Sequence, residues 1–328
     1  MPAKEIRHMM NIDVIINEAQ KLLSENSEWL ERYNGYAENL LANLDVIKLN
    51  RSKFNEFPPL YFYISTSNAK NAKLKLLLDV RYRGQSVATL KVNKDIVTIS
   101  TKKQDDKNLR YFNCNIQLND IAWQETGASE FRKFFKNRTY SRNDNNKKNE
   151  EHNVENLLLS EFSKRNSKNK QITGIQPIKI SGVRFGMPTP ISASDHKELT
   201  YAKHSGGGID IFSRTGKGHA TYLTVIEVKD ENNSKEPPKD ALKQGIQYAV
   251  FIRELLRSNC GKDWYKIFGF TGGIPKHLTI RAVCAMPDDN PDKSFEKQTY
   301  LIGDDKVECH YIYFKYDGKQ LTDFQTSL

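Results

Sequence analysis

The chain has 328 residues, of which 38% are hydrophobic and 27% charged, and its formal net charge at pH 7 is +10. This length and apolar content suit one large domain or two ordinary ones, and they exclude a mainly disordered chain. No run of eighteen apolar residues occurs, so we expect no membrane span.

The start of the chain and its cysteines indicate the cellular compartment of the protein. The opening residues, MPAKEIRHMMN, lack the apolar segment of a secretory signal. The four cysteines form no CxxC pair and lack the spacing of zinc or iron–sulfur sites; they are Cys114, Cys260, Cys284 and Cys309. We therefore expect a cytoplasmic protein with reduced, mostly buried thiols.

The positive charge is concentrated in one segment. Residues 51–149 hold twenty Lys and Arg against nine Asp and Glu, a net +11, whereas residues 1–50 carry −3 and residues 150–328 carry +2. A basic segment can bind the phosphates of a nucleic acid, and a solvated lysine-rich surface has the same composition. Charge alone does not decide between these two interpretations.

The first part of the chain predicts an α+β domain over residues 1–140. Apolar residues recur at helical spacing between residues 3 and 45, and a short basic helix is expected at 128–137. Strands are expected at 58–66, at 73–92 as a hairpin around Arg83-Gly84, at 96–101 and at 109–118. A polar linker is expected at 137–149.

The second part, residues 141–328, predicts a mixed sheet flanked by helices. Helices are expected at 150–165 and 237–258, the latter beginning at prolines. Strands are expected at 175–185, 277–287 and 307–318, with an extended segment at 187–194 and two further strands around a turn within 206–233. The predicted class is thus α/β, or α+β for the whole chain.

Three charges stand out in the hairpin within 206–233. Side chains alternate along the strand TYLTVIEVKDE, so Glu227 and Lys229 share one face at its end. If Gly216 pairs with Thr221, counting outward places Asp210 opposite Glu227. Two facing carboxylates can bind a divalent cation such as Mg²⁺. The alternative is a plain ion pair of Lys229 with Glu227 or Asp210.

The helix after this hairpin carries an unexpected polar residue. Gln244 lies on an otherwise apolar stripe with Tyr248, so it needs a partner in the core. Gly245 beside it lowers the helix propensity of this segment and would permit the helix to approach the sheet closely.

Asp210, Glu227-Val228-Lys229 and the helical pair Gln244-x-x-x-Tyr248 together resemble the PD-(D/E)XK nuclease superfamily, most closely its RecB-like branch. The resemblance covers roughly residues 150–290. It departs from the family pattern at Gly208-Ile209, where a proline is expected before the aspartate. The cluster-binding cysteines of the RecB-like branch are also missing.

The resemblance implies a restriction-endonuclease-like sheet and metal-dependent hydrolysis of a phosphodiester. Asp210, Glu227 and the carbonyl of Val228 would hold Mg²⁺ or Mn²⁺, together with an acidic residue on the preceding helix. Two candidates fit that position, Glu155 and Glu161, and we prefer Glu155. Lys229 would orient or deprotonate the attacking water or neutralise the transition state. Gln244 and Tyr248 would brace the site or contact the nucleic-acid backbone.

The expected function is therefore a metal-dependent DNA nuclease, in restriction, phage defence or DNA repair, with RNA as the alternative substrate. One alternative is a non-catalytic nucleic-acid-binding protein on the same fold, and another is an unrelated α+β protein with a surface ion pair. Homodimerisation, or binding of a partner protein through the N-terminal domain, stays open.

Overall fold

The computed structural model describes residues 11–54, 57–66, 76–101, 112, 114–138, 147–164, 170–193, 198–203, 207–232, 235–288 and 292–328. Within these ranges it is a mixed α/β protein with two large sheets, which confirms the predicted α+β class. No helix in the described ranges has both the length and the apolar character needed to cross a bilayer.

Three helices replace the single helical stretch predicted at the start. They are α1 (Ile12–Glu25), α2 (Trp29–Ala42) and α3 (Leu44–Asn50), and residues 1–10 lie outside the described ranges. The side chain of Asn11 caps α1 by accepting a 3.4 Å hydrogen bond from the Val14 N–H. Asn26 follows α1 and donates from its amide to the Leu22 carbonyl at 2.8 Å, so the chain leaves the helix at a polar residue that binds the last turn.

The first sheet has seven strands in the order β5-β4-β3-β2-β1-β8-β7, where β7 (Lys179–Ile180) and β8 (Val183–Phe185) come from later in the chain. Five strands come from the first half of the chain: β1 (Leu60–Ile64), β2 (Leu76–Tyr82), β3 (Gln85–Asn93), β4 (Ile96–Thr101) and β5 (Ile121–Ala122). The hairpin predicted around Arg83-Gly84 is confirmed, because Tyr82 pairs with Gln85. Helix α4 (Thr126–Asn137) then packs against β1 and β5.

The strand predicted at 109–118 is wrong over 114–118, where the chain has no regular structure. Leu118 donates its N–H to the Thr101 hydroxyl at 2.9 Å instead of continuing a strand ladder. Residues 109–111 and 113 lie outside the described ranges, as do residues 139–146 of the predicted linker.

The second sheet runs in the order β14-β15-β13-β12-β11-β6, with β16 also paired to β15. Its strands are β6 (Gln176–Pro177), β11 (Ile211–Lys217), β12 (Ala220–Val228), β13 (Thr279–Pro287), β14 (Thr299–Ile302), β15 (Asp305–Tyr316) and β16 (Leu321–Thr326). Strand β12 is parallel to β13 and antiparallel to β11, and β13 is parallel to β15. The smaller strands between β6 and β11 are β7 (Lys179–Ile180), β8 (Val183–Phe185), β9 (Ile191–Ser192) and β10 (Thr200–Tyr201).

Helices cover both faces of the second sheet. On one face α5 (Lys147–Phe162) places Val154 and Leu158 in a cluster with Ile226 and Val228 of β12. On the other face α6 (Pro238–Arg257) packs on β12 and β13, and α1 covers the outer side of α6. A strand covered on both faces is apolar on both, which explains the composition of β12.

The packing crosses the domain boundary predicted near residue 140. Strands β7 and β8 lie after that boundary but belong to the first sheet, where β8 pairs in parallel with β1. Helix α2 lies before the boundary and packs on α7 (Gly261–Ile267), where the indole of Trp264 donates to the Tyr33 carbonyl at 3.1 Å. The two-domain division stays a prediction, and the apolar core is shared between the two parts.

Candidate functional site

The site begins at the hairpin of β11 and β12. Gly216 pairs with Thr221, as expected from the sequence, and the ladder ends at Ile211 and Ile226, so that Asp210 and Glu227 directly follow its last pair. The pairing also includes Lys217 with Ala220, and the connection is therefore shorter than the four-residue loop expected. Gly216 has φ +92°, and a Cβ there would lie 2.0 Å from the Ala220 oxygen, so only glycine fits this position.

Asp210 is held at the end of the hairpin by the backbone. Its Oδ2 accepts a 2.8 Å hydrogen bond from the Val228 N–H. Burial and then the charge of Glu155 raise the pKa of Asp210 to about 6, against the opposing effects of the Val228 bond and Lys229. A carboxylate whose ionisation is disfavoured in this way is a candidate for binding a cation.

Residues 186–189 connect this end of the hairpin to the first sheet. They follow β8 directly and pair with residues 207–209, where Thr189 donates its N–H to the Gly207 carbonyl and Ile209 donates to the Met187 carbonyl, both at 3.0 Å. The chain therefore enters Asp210 from a short antiparallel pairing that joins the two sheets.

Helix α5 brings more charge to the same place. Glu155 is 5% exposed, lies 3.3 Å from Nδ1 of His152, and its charge acts on Asp210. Glu151 lies one turn earlier, and burial followed by the charge of Asp210 raises its pKa to about 7. Glu161, the other candidate, is engaged by Lys164 at 2.5 Å. The structure thus brings Glu155 beside Asp210.

Sequence reasoning missed Glu151 and His152. Glu151 and Glu155 are four residues apart, which places them on one face of a helix. That spacing was visible in the sequence and was the signal that could have identified Glu151 as a neighbour of the site.

Lys229 is buried and ion-paired. It is 4% exposed, and its Nζ lies 3.4 Å from Glu236 Oε1 and 3.9 Å from Glu151 Oε2. Neither carboxylate was expected from the sequence, which suggested Glu227 or Asp210 as the partner. Because Lys229 is buried, these ion pairs differ from the surface ion pair expected if the chain were an unrelated α+β protein.

Gln244 and Tyr248 are buried, 6% and 3% exposed, and both contact Ala193 at the end of β9. The Gln244 amide donates to the Ala193 carbonyl at 2.8 Å, and the Ala193 N–H donates to the Tyr248 hydroxyl at 3.3 Å. Burial and then the charge of Glu227 raise the pKa of Tyr248. The two side chains therefore fix the backbone at Ala193, and Tyr248 is close enough to Glu227 to be affected by its charge.

Glu227 is 3% exposed and packs against the middle of α6. A Cβ built on Gly245 would lie 3.6 Å from the Glu227 Cγ and 3.6 Å from the Ala282 Cβ. These are ordinary contact distances, so the glycine is not required for this approach, contrary to the expectation from the sequence.

A cavity of about 500 Å³ opens beside Asp210 and Glu155, whereas Glu227 and Lys229 are not among its lining residues. Its lining includes Asp210, Glu155 and His152, together with Tyr63 and Arg81 from the first sheet. The candidate site therefore lies where the two sheets meet, and its cavity has the volume typical of ligand pockets.

Within the described ranges, no group of three or more His, Cys, Asp or Glu side chains is arranged to hold a metal ion. Mg²⁺ requires fewer protein ligands, because it binds through one or two carboxylates and completes its coordination with water and substrate phosphates. The positions of Asp210 and Glu227 just beyond the last pair of the hairpin, and the raised pKa of Asp210, fit such a site.

Comparison of the chain with models of known protein families, with curated proteins and with solved structures finds no match.

Proposed function

We propose that the protein is a metal-dependent nuclease that hydrolyses phosphodiester bonds in DNA. The observation that carries the proposal is the buried end of the β11–β12 hairpin, where the charge of Glu155 acts on Asp210 and the register leads outward from Ile211 and Ile226 towards Asp210 and Glu227. Carboxylates crowded at one point raise the electrostatic cost of ionisation, and a cation relieves it. The order of elements also supports the proposal, because α5, the β11–β12 hairpin and α6 follow one another as the PD-(D/E)XK resemblance implies.

Mg²⁺ would be held by Asp210 and Glu227 with the Val228 carbonyl, and Glu155 would reach the ion through a coordinated water. When bound, such an ion lowers the pKa of a coordinated water and stabilises charge developing on phosphorus. Asp210 is oriented for this role by the Val228 N–H. Gln244 and Tyr248 would keep the backbone at Ala193, which follows β9, in position.

Lys229 would act on the attacking water or on the charge of the transition state. Its Nζ is held by Glu236 and Glu151, and both carboxylates favour the charged ammonium. A charged lysine is suited to neutralising negative charge on the substrate rather than to removing a proton. We therefore favour the electrostatic role for Lys229 over that of a general base.

The proposal is tested by incubating the protein with supercoiled plasmid, linear duplex and single-stranded DNA, in Mg²⁺ and in EDTA. Cleavage of at least one substrate in Mg²⁺ and none in EDTA is the expected result. DNA binding without cleavage of any substrate would instead favour the alternative, a non-catalytic binding protein on the same fold.

A further inference from the structure

The chain reaches Asp210 through a loop whose two limbs bind each other. The outgoing limb is residues 187–193, and the return limb is residues 198–203 and 207–209. Pro188 of the outgoing limb pairs with Gly208 of the return limb, two residues before Asp210. Strands β9 and β10, which lie in the two limbs, also pair with each other. The position of the outgoing limb therefore sets the position of the residues that lead directly into Asp210.

Two adjacent residues of α2 bind one limb each. The Tyr33 hydroxyl donates a 2.7 Å hydrogen bond to the carbonyl of Pro188 in the outgoing limb. Arg32 donates to the carbonyls of Ala202 and Lys203 in the return limb, and its Nη1 lies 3.1 Å from the first of them. These contacts span at least 155 positions of the sequence, so a helix from the N-terminal part of the chain fastens both limbs of the loop.

The Tyr33 side chain is held in place by the core rather than by the loop. It is 1% exposed, and its ring packs edge-on against Trp29 and Phe251 at centroid distances of 5.7 and 5.2 Å. Its own backbone carbonyl accepts a 3.1 Å hydrogen bond from the Trp264 indole. Because the ring is enclosed by close-packed side chains, its hydroxyl is presented to Pro188 at a fixed point.

The Tyr33 hydrogen bond adds direction to apolar contacts at the same place. Met187 of the outgoing limb and Ile209 of the return limb are buried in the same core, 0% and 3% exposed. Apolar burial is non-directional, whereas a hydrogen bond restricts both distance and angle. The Tyr33 bond therefore fixes where the outgoing limb lies along its own length, and with it the residues that lead to Asp210.

We infer that Tyr33 and Arg32 are positioning residues of the candidate site, which set the place of Asp210 through the two limbs of the loop. Neither side chain is among the described residues that line the cavity, so both act on the site through the backbone that they bind. The inference rests on the proposed nuclease function and deepens it, because it makes α2 a part of the metal-binding site rather than of a separate N-terminal domain.

The first test measures the metal-free protein and does not depend on cleavage. Tyr33→Phe removes only the hydroxyl. Tyr36→Phe is the matched control, since Tyr36 is also buried in α2 and its hydroxyl bonds no residue of the described ranges. Hydrogen–deuterium exchange of the full chain in EDTA is followed at two amides, that of Ile209 in the return limb and that of Val228, which donates to Asp210.

Tyr33→Phe should speed exchange at both amides about fivefold or more, the effect of losing one hydrogen bond that holds a local structure. Tyr36→Phe should exchange as wild type does. Arg32→Lys keeps the positive charge but loses the forked donor group, and it should speed exchange at Ala202, whose N–H donates to the Pro190 carbonyl at 2.7 Å. If Tyr33→Phe fails to fold, Arg32→Lys decides the test.

The second test measures DNA cleavage as a function of Mg²⁺ concentration. A displaced Asp210 binds a cation more weakly, so the Mg²⁺ concentration for half-maximal cleavage should rise about threefold or more in Tyr33→Phe. Saturating Mg²⁺ should restore the rate, and DNA binding in EDTA should match that of wild type. A role in overall stability alone would leave the half-maximal concentration unchanged.

Exchange at Ile209 and Val228 in Tyr33→Phe that matches wild type would overturn the inference even if the protein cleaves DNA, and so would an unchanged half-maximal Mg²⁺ concentration. Faster exchange at these amides without any Mg²⁺-dependent cleavage would contradict the nuclease and still support the positioning of Asp210 by α2.

Discussion

The backbone N–H of Val228 donates a 2.8 Å hydrogen bond to Oδ2 of Asp210 across the end of the β11–β12 hairpin. This bond joins the carboxylate of one strand to the residue between Glu227 and Lys229 on the other. It brings three charges that are separated by up to nineteen positions to the same end of the hairpin, and one of them, Asp210, lines the cavity between the two sheets.

Asp210→Asn should stabilise the metal-free protein at alkaline pH. The pKa of Asp210 is about 6 in the fold and 3.8 ordinarily, so the fold binds its proton more tightly than the unfolded chain does. The stability from this group is complete below pH 3.8 and is lost as pH rises through about 6. Asn keeps the oxygen that accepts from Val228 and carries no charge.

The melting temperature of Asp210→Asn in EDTA should therefore exceed that of wild type by about 2 °C or more at pH 8, and the difference should disappear near pH 4. Asp95→Asn is the control, because Asp95 is an exposed carboxylate in the turn between β3 and β4. A variant less stable than wild type at pH 8 would show that the Asp210 charge is favourable in the fold.

Lys229→Ala should destabilise the protein by about 3–5 kcal/mol, because it leaves the carboxylates of Glu236 and Glu151 without a buried cation. Lys235→Ala breaks an exposed ion pair of 3.7 Å with Glu231 and should cost at most about 1 kcal/mol. Urea denaturation of both variants gives the comparison. Equal free energies of unfolding would show that the ion pairs of Lys229 contribute little.

Glu155→Gln should reduce Mg²⁺-dependent cleavage by at least about tenfold, the scale seen when groups around a metal site are altered. Glu161→Gln removes a carboxylate from the same helix that pairs with Lys164, and its activity should stay within about twofold of wild type. Cleavage rates measured at several Mg²⁺ concentrations test both. If only Glu161→Gln lost activity, Glu161 rather than Glu155 would be the helix carboxylate that acts at the site.

Two glycine substitutions near the site should have opposite effects. Gly245→Ala adds a methyl with ordinary contacts of 3.6 Å and gains up to about 1 kcal/mol of helix propensity. Gly207→Ala places a Cβ 2.7 Å from the Tyr248 hydroxyl, so Tyr248 must move away from Ala193. The melting temperature should therefore rise for Gly245→Ala and fall for Gly207→Ala. If it fell for both variants, the contact between α6 and the sheet at Gly245 would be tighter than the 3.6 Å distances indicate.

The hairpin register was predictable because it depends on local features, a glycine-containing turn and an apolar strand that ends in charges. The burial of Gln244 was predictable for the same reason, since it follows from helical spacing around Tyr248. Contacts between distant segments were not predictable: Arg184 bonds Tyr63 from 121 residues away, and Glu151 reaches Lys229 from another element. Such contacts depend on how the sheets pack, which no short sequence pattern encodes.

The most direct test of the central claim compares wild type with Asp210→Asn and Glu227→Gln in single-turnover cleavage of DNA with Mg²⁺, after each variant is shown to be folded and to bind the same DNA in EDTA. The account predicts cleavage by wild type and essentially none by either variant, with binding retained, because affinity comes from many phosphate contacts and hydrolysis from one metal-activated water. Folded variants that cleave as fast as wild type, or a wild type that cleaves equally well in EDTA, would contradict it.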